Sequence, residues 1–182
     1  MFDIRKIQEQ VIYEAVKRAS SEETAKEIVY GSNPLSESEN NPVWVKSTMK
    51  RLENHFDLAD RKQIRMNCQC GYGMDEKLEL VNELISLSSN MEEFGNLEKA
   101  KAAGLSCING ELHLQFHFCP CPMLAEVEKL DTDTWCQCTT GYSKVLFEKA
   151  FGCEVEVELL KSIKMGDEIC LMKIIPQGVI WQ

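Results

Sequence analysis

The chain has 182 residues, 44% hydrophobic and 27% charged, which is enough for a real core and leaves no need of disulfides for folding. A formal net charge of -9 argues against nucleic acid as a partner, since phosphates are neutralised by clustered Lys and Arg. No run approaches the roughly 18 consecutive apolar residues that span a bilayer, and Met1-Phe2-Asp3-Ile4-Arg5 lacks the apolar core of a signal peptide; a cytoplasmic protein without a membrane partner is expected.

Ile4, Ile7, Val11, Ile12, Ala15, Val16 and Ala19 fall at helical spacing, and Ser20-Ser21-Glu22-Glu23 reads as a cap that starts a second helix toward Val29. Gly31-Ser32-Asn33-Pro34 ends it, and the polar stretch from Ser36 to Pro42 is the best linker candidate. Pro42 opens a helix through Val45, Met49 and Leu52 to about Phe56. Asp57 caps another, Leu58 to about Arg65. Residues 75–88 and 91–103 are again helical by period, their apolar stripes facing a core. From Gly104 the period becomes two: Leu105 to Ile108, the Asn109-Gly110 turn, then Leu112, Leu114, Phe116 and Phe118 form a hairpin running into Cys119. Met123 to Lys129 reads as a short helix, and Thr132-Asp133-Thr134 caps one that reaches Phe151. Two antiparallel strands, 154–159 and 169–175, finish the chain. The expected fold is α+β: an antiparallel sheet flanked by helices, with a helical N-terminal region over residues 1–66 and a cysteine-rich domain over 67–182, packed as one compact unit.

Six of the nine cysteines come in pairs one residue apart: Cys68-Gln69-Cys70, Cys119-Pro120-Cys121 and Cys136-Gln137-Cys138. On a regular helix two such residues point about 200° apart, and on a strand they stand roughly 6.6 Å apart; a turn or a helix start lets them converge. All three pairs lie at such places, before Gly71, between Pro120 and Pro122, and behind the Thr132–Thr134 cap. In a reducing compartment dense thiols point to metal or redox chemistry more than to structural bridges. Cys119, Cys121, Cys136 and Cys138 are the first candidates for tetrahedral zinc, with Cys68 and Cys70 replacing two of them or lining the same pocket; an iron–sulfur cluster fits the ligand type with a poorer spacing match. His117, on the strand into Cys119, and Asp133, beside the third pair, are the candidate bases should the site be catalytic. Glu154, Glu156 and Glu158 read as a solvated strand face.

Gly141-Tyr142-Ser143-Lys144-Val145-Leu146-Phe147-Glu148-Lys149-Ala150-Phe151-Gly152, then Val155-Glu156-Val157 and Ser162-Ile163-Lys164-Met165-Gly166-Asp167-Glu168-Ile169-Cys170, resemble the end of the 4-vinyl-reductase-type small-molecule-binding domain. The same stretch is similar to the L-2-amino-thiazoline-4-carboxylic acid hydrolase-like family; the resemblance runs from about Phe116 to Ile175. It implies a sheet flanked by helices with a ligand pocket between them. By position, Cys136 or Cys138, Cys119 or Cys121, and Cys170 match the family cysteines, with Tyr142 and Trp135 as further pocket candidates. The doubled cysteines and the Cys68 pair are not part of the general pattern and mark a more metal-oriented subgroup.

The leading expectation is thus a cytosolic, sensor-like protein that binds a metal or a small-molecule ligand, with its helical N-terminal region serving a homodimer or another partner. The alternatives are a metal-dependent hydrolase acting on a small cyclic or amide C–N bond, and a thiol-redox protein.

Overall fold

A computed structural model describes residues 3–32 and 39–182. Asn33, Pro34 and the start of the linker candidate, Ser36 to Ser38, lie outside the described residues. Among the described residues, eight α-helices and a four-stranded antiparallel sheet make this a mixed helix and sheet protein with helices at its N-terminal end. Among the described residues no helix is long and apolar enough to cross a membrane. The chain divides into two compact units that interleave along the sequence: the first takes residues 1–70, 119–141 and 164–166, the second the remainder.

In the first unit, local sequence sets each helix start. Asp3 caps α1 (Ile4–Ala19), Ser21 caps α2 (Glu22–Tyr30), Asn40 caps α3 (Asn41–His55) and Asp57 caps α4 (Leu58–Met66), each side chain accepting a bond from a backbone N–H of the first turn. Their apolar faces close on one another through Ile12, Val16, Ile28, Trp44 and Leu52, all wholly buried. The Trp44 indole N–H donates to the Val29 carbonyl at 2.9 Å, so this large side chain is buried with its polar atom satisfied.

Residues 122–130 are not the helix that their spacing suggests. A single 3-10 turn, Pro122–Leu124, is followed by irregular backbone. Leu124 and Val127 bond back to the carbonyls of Cys121 and Leu124, three residues earlier, and Leu130 bonds to the Lys164 carbonyl at 2.8 Å. Lys164, itself buried, donates its ammonium to the Val127 carbonyl. Met123, Leu124, Val127 and Leu130 are all buried, so the apolar periodicity is real while the backbone bonding is not α-helical. A second 3-10 turn, Thr134–Cys136, leads into α8 (Gln137–Phe151), whose residues to Gly141 belong to this unit.

The second unit holds α5 (Met74–Ser86), α6 (Met91–Asn96), α7 (Glu98–Ala102), the remainder of α8 and the sheet. The single helix expected over 91–103 is two, because Leu97 is extended (φ -60°, ψ 136°) between them. Strands β1 (Leu105–Ile108), β2 (Glu111–Phe116), β3 (Val155–Lys161) and β4 (Cys170–Pro176) are ordered β1-β2-β4-β3, every neighbour antiparallel. Strand β2 stops at Phe116, short of Cys119. Its register puts Leu112 opposite Ile174 and Leu114 opposite Met172. Those four pack with Val81, Leu84, Phe94, Phe147, Phe151, Val155 and Val157 into one core, where each fully buried large side chain is worth about 1.5–3 kcal/mol. Glu154, Glu156 and Glu158 are exposed.

Candidate functional site

All six paired cysteines fall in the first unit. Helix α4 ends at Met66, and the chain turns there: the Cys68 amide bonds to the Arg65 carbonyl at 3.0 Å, and the Gln69 side chain donates to the Met66 carbonyl at 2.6 Å. This turn points the Cys68 thiol back along the helix, where it donates to the Ile64 carbonyl at 3.1 Å. The start of α8 lies against the same turn, and the Cys138 thiol donates to the Cys68 carbonyl at 3.0 Å across 70 residues of sequence. Gly141 permits that approach, because a Cβ there would sit 1.9 Å from the Met66 carbonyl oxygen.

Arg65 organises the site. It is wholly buried, its guanidinium carbon lies 4.2 Å from the centroid of the Trp135 ring, and its Nη2 donates to the Trp135 carbonyl at 3.0 Å. Its Nη1 reaches Gln8 Oε1 at 3.4 Å, and its Nε has no hydrogen-bond partner. Trp135 packs edge-on to Trp44 with ring centroids 5.7 Å apart.

The thiols feel this environment in two opposed ways. Burial pushes the Cys138 thiol up from 9.0 to about 12, with Arg65 pulling it down and Cys68, Cys121 and Cys70 adding to the rise. Burial also raises Cys68, against the pull of Arg65 and Arg18. Cys121 is raised by burial as well, and the Trp135 indole and Arg65 favour its thiolate. The Trp135 Nε1 makes no hydrogen bond of normal geometry, and Cys121 is the thiol whose charged form it favours. Cys68, Cys70 and Cys121 therefore each act on Cys138, and Cys119 acts on Cys121. As the side chains stand, no three His, Cys, Asp or Glu among the described residues are gathered tightly enough to hold a metal ion.

The other candidates are placed as follows. Cys136 is buried between Trp135 and Gln137. Asp133, half-buried, accepts from the Gln137 side chain at 3.2 Å. His117 is exposed in the second unit, its Nε2 3.0 Å from Gln115 Nε2. It lines a cavity of about 490 Å3 with Lys101, Ser106, Phe116 and Phe118, a lining that does not include Tyr142, Cys170 or Trp135. Tyr142 donates to the Tyr72 carbonyl at 2.8 Å and carries Lys77 over its ring; Cys170 is buried on β4, its sulfur 3.5 Å from the Ile163 amide. Arg65 and Gln8 were not marked by their sequence, since nothing distinguishes a buried arginine among the bases of residues 46–65.

These features define a mixed helix and sheet protein whose helical unit gathers paired cysteines about one buried arginine. Residues 1–181 match the family of unknown function DUF6144, and the chain belongs to that family. No curated protein matches it.

Proposed function

We propose that the protein binds a thiophilic metal ion, of which zinc is the leading case, through thiolates of the first unit in a reducing, cytoplasmic setting. The carrying observation is Arg65, a buried positive charge that acts on three thiols, Cys68, Cys121 and Cys138. Left to themselves those thiols are neutral, and a metal is what replaces their protons; the thiolates then formed answer both the guanidinium and the unpaired Trp135 N–H.

Elemental analysis of protein purified reduced and without oxygen, with thiol titration before and after chelation, tests it. Bound metal, with thiols that react faster after chelation, is expected; protein that holds no metal overturns the reading.

A second reading, binding of a small aromatic ligand, has its own support in the Phe116–Phe118 cavity, where the ring centroids stand 5.8 Å apart beside Lys101 and His117. Phe118→Ala should then abolish the fluorescence change of an aromatic carboxylate probe; an unchanged titration removes it.

A further inference from the structure

In a chain with 29 acidic residues against 20 basic ones, the lining of the cavity of about 490 Å3 carries no acid. That lining comes from three pieces of the second unit: the end of α7 with the turn after it, the start of β1, and the end of β2 with the turn beyond. Backbone contacts fix its walls. The Gln115 N–H donates to the Gly104 carbonyl at 2.8 Å, and Gly104 (φ +85°) comes so near β2 that a Cβ would stand 2.2 Å from the Gln115 carbonyl oxygen. The cavity is thus formed before any ligand arrives, as small-molecule sites of about 300–1,000 Å3 usually are.

Two features of the lining lack an answer within the chain. Phe118 is 64% exposed, beside a Phe116 that packs against the sheet core. Their ring planes are inclined by 58°, so the pair offers faces and edges to a third ring. Lys101 is the second feature. Lys99, Lys144 and Lys173 of the same unit each meet a carboxylate, but among the described residues none pairs with Lys101, not even Glu98 one turn earlier on α7. His117 and Gln115 are engaged with each other, Nε2 to Nε2.

We infer, resting on the aromatic-ligand reading above, that this cavity selects its ligand by charge: an aromatic monocarboxylate, its ring on Phe116 and Phe118 and its carboxylate on the Lys101 ammonium. One ammonium answers one negative charge, and a lining without acids opposes none of it. The neutral amide of the same acid keeps the ring contact and loses the ion pair.

A naphthoate and the corresponding naphthamide, nearly identical in shape, are therefore titrated with the full chain and followed by their own fluorescence. Salt is held at about 0.15 M, where a Debye length of about 8 Å screens the net charge of the whole molecule and leaves the lining to decide. The naphthoate should bind about fivefold or more tighter than the amide. Lys101 is exposed, so its replacement leaves the fold intact. Lys101→Met should remove the preference without weakening the amide, and Lys101→Arg should keep it. Phe118→Ala should weaken both probes. Amide binding equal to or tighter than naphthoate binding overturns the selection by charge, and a preference that survives in Lys101→Met overturns the role of Lys101. Failure of both probes to bind, or binding that Phe118→Ala leaves unchanged, instead sinks the underlying aromatic-ligand reading, so the two failures are distinct.

Discussion

The guanidinium of Arg65 lies over the ring of Trp135, 4.2 Å from its centroid, and donates to the carbonyl of the same residue at 3.0 Å. One tryptophan thus supplies both the face and the acceptor for a buried cation, and ties the end of α4 to the 3-10 turn that carries the third cysteine pair. Stacking of this kind, out of water, is worth about 2 kcal/mol or more.

Trp135→Ala should therefore cost more than an ordinary core truncation. Loss of the wholly buried ring accounts for about 3–5 kcal/mol, and Arg65 loses its stacking surface besides. Chemical denaturation of the reduced protein checks this; a change below about 1 kcal/mol would contradict the arrangement.

Alkaline pH should destabilise the metal-free protein. In the unfolded chain the Cys138 thiol ionises near its ordinary value of 9.0, while in the folded chain it holds its proton to about 12. Between those values the folded state binds the extra proton, so stability is complete below pH 9 and falls as pH rises, by about 1.4 kcal/mol per unit for this group. Cys68 and Cys121 shift in the same direction and add to the slope. Denaturation curves from pH 8 to 10.5 should show the decline, flattened in Cys138→Ala.

Thiol reactivity should be ordered by burial. Cys68 and Cys138 are buried as well as raised, and the nucleophile in alkylation is the thiolate. In the reduced, metal-free chain, iodoacetamide followed by peptide mass spectrometry should find both modified at least tenfold more slowly than in the denatured chain.

Gly141→Ala should be severe where Gly71→Ala is mild. A methyl at 141 falls 1.9 Å from the Met66 carbonyl oxygen, which is backbone and cannot step aside, and the cost should reach about 3 kcal/mol or more. At 71 nothing lies within 4 Å, so only the left-handed backbone (φ +68°) is penalised, by about 1–2 kcal/mol. Thermal unfolding of the two variants separates the cases.

What could be read from the chain was what is local. Ser21, Asp57 and Pro42 mark their helix starts because a cap acts within three residues, and the alternation of Leu112, Leu114 and Phe116 marks β2 because a sheet with one buried face has period two. The break at Leu97 and the irregular course of 122–130 were hidden, since both keep a helix-like apolar spacing, and over 122–130 the backbone is held by distant groups such as Lys164. The cysteine spacing pointed to turns and helix starts, and the three pairs lie at the end of α4, ahead of the 3-10 turn that Cys121 caps, and at the start of α8. Arg65 could not be singled out, because burial of one base among six depends on where Gln8 and Trp135 fold. The resemblance noted from Phe116 to Ile175 and the family match over 1–181 differ in extent, the latter taking in the Cys68 pair.

The contact between the Cys138 thiol and the Cys68 carbonyl joins residues 70 positions apart. On a ribosome adding 5–20 residues per second, the first cysteine pair waits about 4–14 s before its partners emerge. During that interval the Cys68 turn lacks its contact with Cys138, and the nascent chain is at its most open to oxidants and stray metal. Completion of α8 is then the event that ends this window, so the timing of synthesis, as much as the finished fold, decides what those sulfurs first meet.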